Sequence, residues 1–171
     1  LHRLYGQTGA RHQQIKSLIL TPTRELAVQI ERAVAGYGRF LKVRALAVYG
    51  GVSIERQIKE LKSGVDVVIA TPGRLLDLMS RQTVRLGHVE VLVVDEADRM
   101  FDMGFIADIR KIIGAVPKER QTMLFSATLS KEVRQLTADI QREPRMIQIG
   151  APQNPAETVT QHIYPVSKDQ K

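Results

Sequence analysis

Several residue types on which common structural and catalytic devices depend are missing from this sequence of 171 residues. It contains no cysteine, so no disulfide framework forms and no thiolate can bind zinc or attack a substrate. Its four histidines are scattered without the spacing of metal ligands, which argues against a structural metal site. No apolar run approaches the roughly 18 residues that a membrane span needs, so we expect no membrane partner.

The residues that are present are typical of a globular domain. Hydrophobic residues make up 43% and charged residues 25%, which excludes a disordered or fibrous chain. The net charge of +7 is uneven, because residues 1–62 hold 11 basic and 4 acidic residues whereas residues 63–171 hold 14 of each. A basic region beside a balanced one indicates either a polyanionic partner such as nucleic acid or simply a basic soluble surface.

Short apolar runs recur along the chain and are continuous rather than alternating. Such runs are typical of strands that are buried on both faces of a parallel sheet. Segments of helical period lie between them, beginning near Leu26, Phe105 and Val133. Strands and helices in alternation predict an α/β fold, a mostly parallel sheet flanked by helices, in which ligands collect where the strands end. The predicted strands are residues 18–20, 45–48, 67–69, 91–94, 123–125 and 146–147.

Two segments of the chain resemble each other. Residues 18–26 and 68–76 both read as an apolar run, Thr-Pro, one further residue, Arg and the start of a helix. A threonine cap with proline in the first turn predicts a helix N-terminus, where free amides and the helix dipole attract anions. Arg24 and Arg74 add positive charge, so two such sites on one rim suit successive phosphates of a strand. Ordinary capping beside a surface arginine is the alternative.

Three further motifs follow predicted strands. Asp95 and Glu96 end a buried strand, which is the arrangement in which one acid holds Mg²⁺ on nucleotide phosphates and the next positions water. An acidic helix start is the alternative. The Gly50-Gly51 pair lets a backbone approach a phosphate closely, or is only a turn. The segment from Ser126 to Thr128 offers two hydroxyls that could bridge a carboxylate to a phosphate, or merely turn the chain.

Taken in order, these motifs resemble the DEAD-box ATP-dependent RNA helicases, and most of all their bacterial RhlE-like group. The resemblance covers residues 15–170 approximately and rests on segments 21–26, 50–51, 71–74, 95–98 and 126–128. It implies a RecA-like P-loop NTPase fold. Residues 1–150 would form part of the first RecA-like domain, and residues 151–171 the linker and the start of a second one in the same chain.

The resemblance also implies roles for individual residues, with ATP and Mg²⁺ as cofactors and RNA as partner. Asp95 would reach Mg²⁺ through water, and Glu96 would activate the attacking water. Asp98 would bond to Ser126 and Thr128 once ATP and RNA close the two domains, and all three would belong to the nucleotide site. The residues expected to contact the RNA backbone, without sequence preference, are Pro22, Thr23, Arg24, Glu25, Gly50, Gly51, Thr71, Pro72, Gly73 and Arg74.

Two motifs of the family, for adenine recognition and for the Gly-Lys-Thr phosphate loop, do not occur before residue 21. We therefore expect the chain to be a fragment without the nucleotide loop, which would bind ATP and Mg²⁺ poorly and would not turn over. The protein from which it comes would be a cytoplasmic, RNA-dependent ATPase that locally unwinds duplexes. The alternative is a non-catalytic RNA-binding or scaffold module that keeps the helicase fold.

Overall fold

Five strands form one parallel sheet in the computed structural model, which describes residues 14–41, 43–149, 162, 164 and 167. The strands lie in the order β2-β3-β1-β4-β5, and the ends of neighbouring strands are in register. This confirms the predicted α/β class and five of the predicted strands. The strands are β1 (Ser17–Leu20), β2 (Ala45–Val48), β3 (Val67–Ala70), β4 (Val91–Val94) and β5 (Gln121–Leu124).

Six helices are found among the described residues, and most of them connect successive strands. The helical periods predict three of them, α1, α5 and α6, and the second Thr-Pro segment predicts α3. No helix in this part of the chain has the length and apolar character needed to cross a bilayer. The helices are α1 (Arg24–Tyr37), α2 (Ile54–Lys62), α3 (Pro72–Ser80), α4 (Ala97–Asp102), α5 (Ile106–Gly114) and α6 (Lys131–Ile140).

Apolar side chains are buried on both faces of the sheet. Alternate residues of β3 show this best, because Val68 belongs to a large cluster formed with α2 to α6, whereas Ile69 packs on the opposite face with Ala27 of α1. All four residues of β3 are buried, as expected for an inner strand of a parallel sheet. The helices therefore fix the sheet from two sides, and the chain segments that follow the strands are left at one edge.

The outer edge of β2 is covered by side chains rather than by another strand. A carboxylate oxygen of Glu31 in α1 accepts the backbone amide of Ala47 at 2.8 Å. The side-chain amide of Gln57 in α2 donates to the carbonyl of Tyr49 at 3.2 Å. Helices on both sides of β2 thus satisfy backbone groups that β3 does not reach.

The sixth predicted strand is wrong. Met146 and Ile147 are 70% and 87% exposed and form no strand. Two apolar residues between Arg145 and Gln148 are too few to pair with a sheet edge and be buried there. Residues 151–171, predicted as the linker and the start of a second domain, lie outside the described residues except at 162, 164 and 167, so the domain boundaries stay a prediction.

Candidate functional site

The sequence motifs lie side by side along the carboxyl edge of the sheet, which we call the motif rim. Backbone bonds join the ends of neighbouring strands there: the Thr71 amide donates to Val48, Thr21 to Ala70, and Asp95 to Leu20, all within 3.0 Å. Strands of a sheet lie about 4.8 Å apart, so adjacent motifs are close neighbours. From β2 to β5, the rim consists of segments 49–53, 71–74, 21–25, 95–98 and 125–128.

The order of motifs along the rim separates two kinds of chemistry. The glycine pair and the two Thr-Pro segments follow β2, β3 and β1, which are consecutive in the sheet. The acidic segment and the hydroxyl segment follow β4 and β5, the remaining two strands. The sheet therefore groups the residues predicted to contact RNA on one side and those predicted to serve the nucleotide on the other.

The two Thr-Pro segments both begin helices, but they do so differently. In α3, Thr71 is the N-cap and Pro72 is the first helical residue, as predicted. In α1, the hydroxyl of Thr23 accepts the Leu26 amide at 3.3 Å, so the helix begins at Arg24. The prediction that Pro22 lies in the first turn is therefore wrong. The first helix begins later because the residue after Pro22 is Thr23, whose hydroxyl caps the helix. The residue after Pro72 is Gly73, which has no hydroxyl to do so.

Asp95 is half-buried directly after β4, and one of its carboxylate oxygens accepts the Glu96 amide at 2.9 Å. Burial raises the pKa of Asp95 above its usual 3.8, the hydrogen bond from Glu96 lowers it, and the neighbouring Glu96 charge raises it again. A carboxylate that is short of compensating bonds gains from a nearby cation. Among the described residues, no group of three carboxylates or imidazoles is arranged to cage a metal ion.

Glu96 has an unusual backbone conformation for a residue with a side chain. Its φ of 49° and ψ of 51° place it in the left-handed region, immediately before α4. Residues other than glycine rarely occupy this region, and such strain collects at functional sites. The Glu96 carboxylate forms a partly exposed ion pair with Arg99 at 3.1 Å. The strained backbone therefore lies at the residue that is predicted to activate the attacking water, directly after Asp95.

Asp98 joins α4 to the segment after β5. Its carboxylate accepts the amide and the hydroxyl of Thr128 at 2.8 and 3.0 Å. The Ser126 hydroxyl accepts the Asp98 amide at 3.3 Å and donates to the Thr128 carbonyl at 2.7 Å. The predicted contact of these three residues is therefore present. The prediction that it needs closure of two domains is wrong, because β4 and β5 are neighbours and bring the partners together within one domain.

These bonds change the acidity of Asp98. Burial by itself would raise the pKa of Asp98, but the hydrogen bonds that its carboxylate accepts from Thr128 and from the Arg99 amide outweigh burial. The pKa of Asp98 consequently lies below its usual 3.8. The contact is therefore made by the carboxylate form, and it depends on that charge.

Arg74 and Gln57 hold the loop that follows β2. Both terminal nitrogens of Arg74 donate to the Val52 carbonyl, at 3.2 and 3.1 Å, and one of them also donates to the Gln57 side chain at 2.8 Å. Gln57 in turn donates to the Tyr49 carbonyl. The loop between these two carbonyls contains Gly50 and Gly51, both exposed, and Gly51 has a φ of 82° that favours glycine.

A shallow basic cleft of about 380 Å³ lies between α1 and this loop. Arg24 and Arg32 line it on the helix side, and Arg24 is paired with Glu25 at 3.1 Å. On the loop side it is lined by Tyr49 and Val52. The cleft therefore continues the rim from Arg24 towards the middle of α1, and Arg32 extends its positive charge.

The family of this chain is decided by comparison with known proteins. The family model described as DEAD/DEAH box helicase matches residues 2–136. The chain belongs to the DEAD/DEAH box helicase family. The family is named after the motif Asp-Glu-Ala-Asp, which this chain carries at residues 95–98 of the motif rim, directly after β4.

Individual relatives agree with the family model. The chain is 45% identical over 157 residues to the DEAD-box ATP-dependent RNA helicase CshA of Streptococcus pneumoniae, and 47% identical over 151 residues to the ATP-dependent RNA helicase DBP2 of Eremothecium gossypii. These matches cover 92% and 88% of the chain but only 30% and 27% of the relatives. The chain therefore spans less than a third of the length of these curated relatives. The narrower resemblance to the RhlE-like group stays a prediction.

Solved structures confirm the RecA-like helicase fold. The crystal structure of a DEAD box protein from the hyperthermophile Methanococcus jannaschii is 40% identical and superposes with a TM-score of 0.73, covering 76% of this chain and 36% of that one. A hypothetical ATP-dependent RNA helicase from Sulfolobus tokodaii gives a TM-score of 0.72 at 42% identity. The fold of this helicase-family domain is therefore the one that its motifs predict.

Two residues of the site were not predicted from the sequence. Gln57 is a polar residue on the apolar side of α2, between Ile54 and Ile58, and only 5% of it is exposed. A glutamine at a helix position that periodicity assigns to the core is a recognisable signal. Arg32 gives no such signal, because its role depends on the position of α1 relative to the loop after β2.

Proposed function

We propose that the protein carrying this chain is an ATP-dependent RNA helicase. The observation that supports this most strongly is the order of the motif rim, where three adjacent segments suit a nucleic-acid backbone and the next two suit a nucleotide. The relatives that share the motifs are named ATP-dependent RNA helicases. The proposed activity is ATP binding and hydrolysis coupled to local separation of RNA strands.

On the nucleotide side, the donor set fits a magnesium ion that is held mainly by phosphates and water. Mg²⁺ typically takes one or two protein carboxylates in such sites, and the half-buried Asp95 is suited to that role. When bound, the ion would neutralise charge on the phosphates. Glu96, which directly follows Asp95 at the strained turn before α4, would orient the attacking water.

On the nucleic-acid side, Gly73 supports a close approach of the RNA backbone. It is exposed in the first turn of α3, and a side-chain carbon there would meet nothing within 4 Å. Packing therefore does not require glycine at this position, and glycine disfavours a helix. A phosphate drawn to the free amides of the helix start would need this space. Such backbone contacts give affinity without sequence preference.

Within the nucleotide side of the rim, Asp98 would connect the acidic segment to the hydroxyl segment. It follows the acidic pair by two residues and bonds to the segment after β5, so a shift of the nucleotide could reach Ser126 and Thr128 directly. A second RecA-like domain, as proposed for the whole protein, would close over both sides of the rim. Because the bonds of Asp98 are already made within one domain, they form a rigid surface on which that domain could close.

Phosphate release from ATP by the protein that carries this chain, with and without single-stranded RNA, tests the proposal. We expect turnover that RNA stimulates, and its loss in Glu96→Gln with ATP binding retained. RNA binding without turnover in the unmodified protein would favour the non-catalytic module. Absence of both activities would contradict the proposed function altogether.

A further inference from the structure

The loop of residues 49–53 depends on side chains from two helices for its position. The rows of backbone bonds in the sheet end at Val48, and the structure gives no backbone bond within this loop. Two carbonyls of the loop instead accept hydrogen bonds from side chains: that of Tyr49 from Gln57, and that of Val52 from Arg74. A third bond, from Arg74 to Gln57, joins the two side chains at 2.8 Å.

Burial makes this arrangement specific. Gln57 is one of only three buried polar residues in the described part of the chain, and both ends of its amide are bonded. A buried amide that loses its partners is costly, so Gln57 and Arg74 hold each other in one geometry. The planar fork of arginine suits this role, since its two terminal nitrogens reach one carbonyl together.

We propose that Gln57 is a positioning residue for RNA binding, and that Gln57 and Arg74 together form a latch that holds the Gly50–Gly51 amides towards the RNA backbone. This inference rests on the proposed function and revises one part of it, because Arg74 then acts through the loop rather than as a phosphate ligand. The latch sets the geometry of the loop, and the exposed glycine amides make the contact.

The salt dependence of RNA affinity distinguishes an arginine that contacts a phosphate from one that only positions a loop. A cation that contacts a phosphate of single-stranded RNA contributes about 0.7 to the slope of log affinity against log salt. A residue that positions a loop changes affinity but contributes nothing to this slope. We therefore expect Gln57→Met and Arg74→Met each to weaken the binding of a poly-uridine oligonucleotide about tenfold at fixed salt, with the slope unchanged.

Arg74→Lys is the decisive variant, because it keeps the charge and removes the fork. The latch predicts that affinity falls about as far as in Arg74→Met, since one ammonium group cannot bond Val52 and Gln57 as arginine does. The double variant Gln57→Met/Arg74→Met should be no more than about twofold weaker than either single one, because both break the same latch. Hydrogen exchange of the loop amides should accelerate in each variant, and thermal melting checks that each is folded.

The outcomes distinguish this inference from the proposed function. A slope that falls by about 0.7 in Arg74→Met, or near-normal affinity in Arg74→Lys, would make Arg74 a direct phosphate ligand and overturn the latch. Unchanged affinity in Gln57→Met would overturn the positioning role. Failure of the unmodified protein to bind the oligonucleotide at all would instead contradict the proposed function.

Discussion

At the scale of single residues, we expect glycine at position 73 to lower the stability of the fold and to favour RNA binding. Replacing it with alanine should stabilise the domain by roughly 0.5 kcal/mol, because alanine favours helix and the side chain meets nothing within 4 Å. The same methyl group would occupy the space proposed for a phosphate, so RNA affinity should fall. Chemical denaturation and RNA titration of Gly73→Ala measure the two effects.

Gly114 provides the matched control. It is also a helical glycine with open space around it, but it lies at the end of α5, just before β5 and away from the motif rim. Gly114→Ala should raise stability to a similar extent and leave RNA binding unchanged. Equal RNA affinity in the Gly73 and Gly114 variants would remove Gly73 from the proposed contact.

Unlike Arg74, Arg32 should contribute to the salt dependence of RNA binding. It lines the basic cleft beside Arg24, so we expect it to contact a phosphate of the strand directly. Arg32→Gln should weaken the binding of unrelated single strands equally and lower the salt slope by about 0.7. Arg85→Gln, at an exposed position between α3 and β4, is the control for loss of one positive charge. A slope that does not differ between the two variants would exclude a contact at Arg32.

At the scale of elements, the contact between α4 and the segment after β5 should make stability sensitive to acid. The pKa of Asp98 is lower in the folded state than its usual 3.8, so its charged form favours folding. This stabilisation is complete above about pH 5 and is lost as the pH falls below about 3.8 through the folded pKa. The difference in unfolding free energy between the unmodified protein and Asp98→Asn should therefore shrink in that range.

Denaturation curves between about pH 3 and 7 measure this difference. Asp102→Asn, one helical turn further along α4, serves as the comparison because the structure gives it no bond to Thr128. A gap between Asp98→Asn and the unmodified protein that stays constant down to pH 3 would mean that the charge of Asp98 does not stabilise the contact.

Most elements could be predicted from local patterns, and the exceptions have physical causes. Continuous apolar runs predict β1 to β5 because inner parallel strands are buried on both faces. Apolar periodicity does not predict helix α2, because the polar Gln57 interrupts the face formed by Ile54, Ile58 and Leu61. At the rim, the motifs identify the residues, but which of them touch depends on the strand order. The bonds of Gln57 arise in this way, since they join segments from different strands.

At the scale of the whole molecule, the hydroxyls of Ser126 and Thr128 should matter more for coupling than for chemistry. Replacing both with alanine removes two bonds to the Asp98 region and leaves Asp95 and Glu96 in place. We therefore expect nucleotide binding to be retained and duplex unwinding to fall much more than ATP hydrolysis. A bond to a charged group contributes about 1.5–3 kcal/mol. Because these bonds are already made within one domain, their loss should loosen the surface on which a second domain would close.

Paired measurements of ATPase rate and unwinding rate on the double variant test this expectation in the protein that carries the chain. Thermal melting is needed beside them, because the same bonds also stabilise the single domain. Equal losses in both rates would place the two hydroxyls in the chemical step. Unchanged unwinding would mean that the segment is only a turn.

The side chains that cover the outer edge of β2 should reduce aggregation of the protein at high concentration. An open strand edge is a template on which another chain can add a strand and aggregate. The bond from the Ala47 amide to Glu31 occupies one donor of that edge, and it places a carboxylate where an incoming strand would have to lie. Glu31→Ala should therefore raise light scattering at concentrations where the unmodified protein stays clear, while Glu31→Gln, which keeps an acceptor, should have a smaller effect.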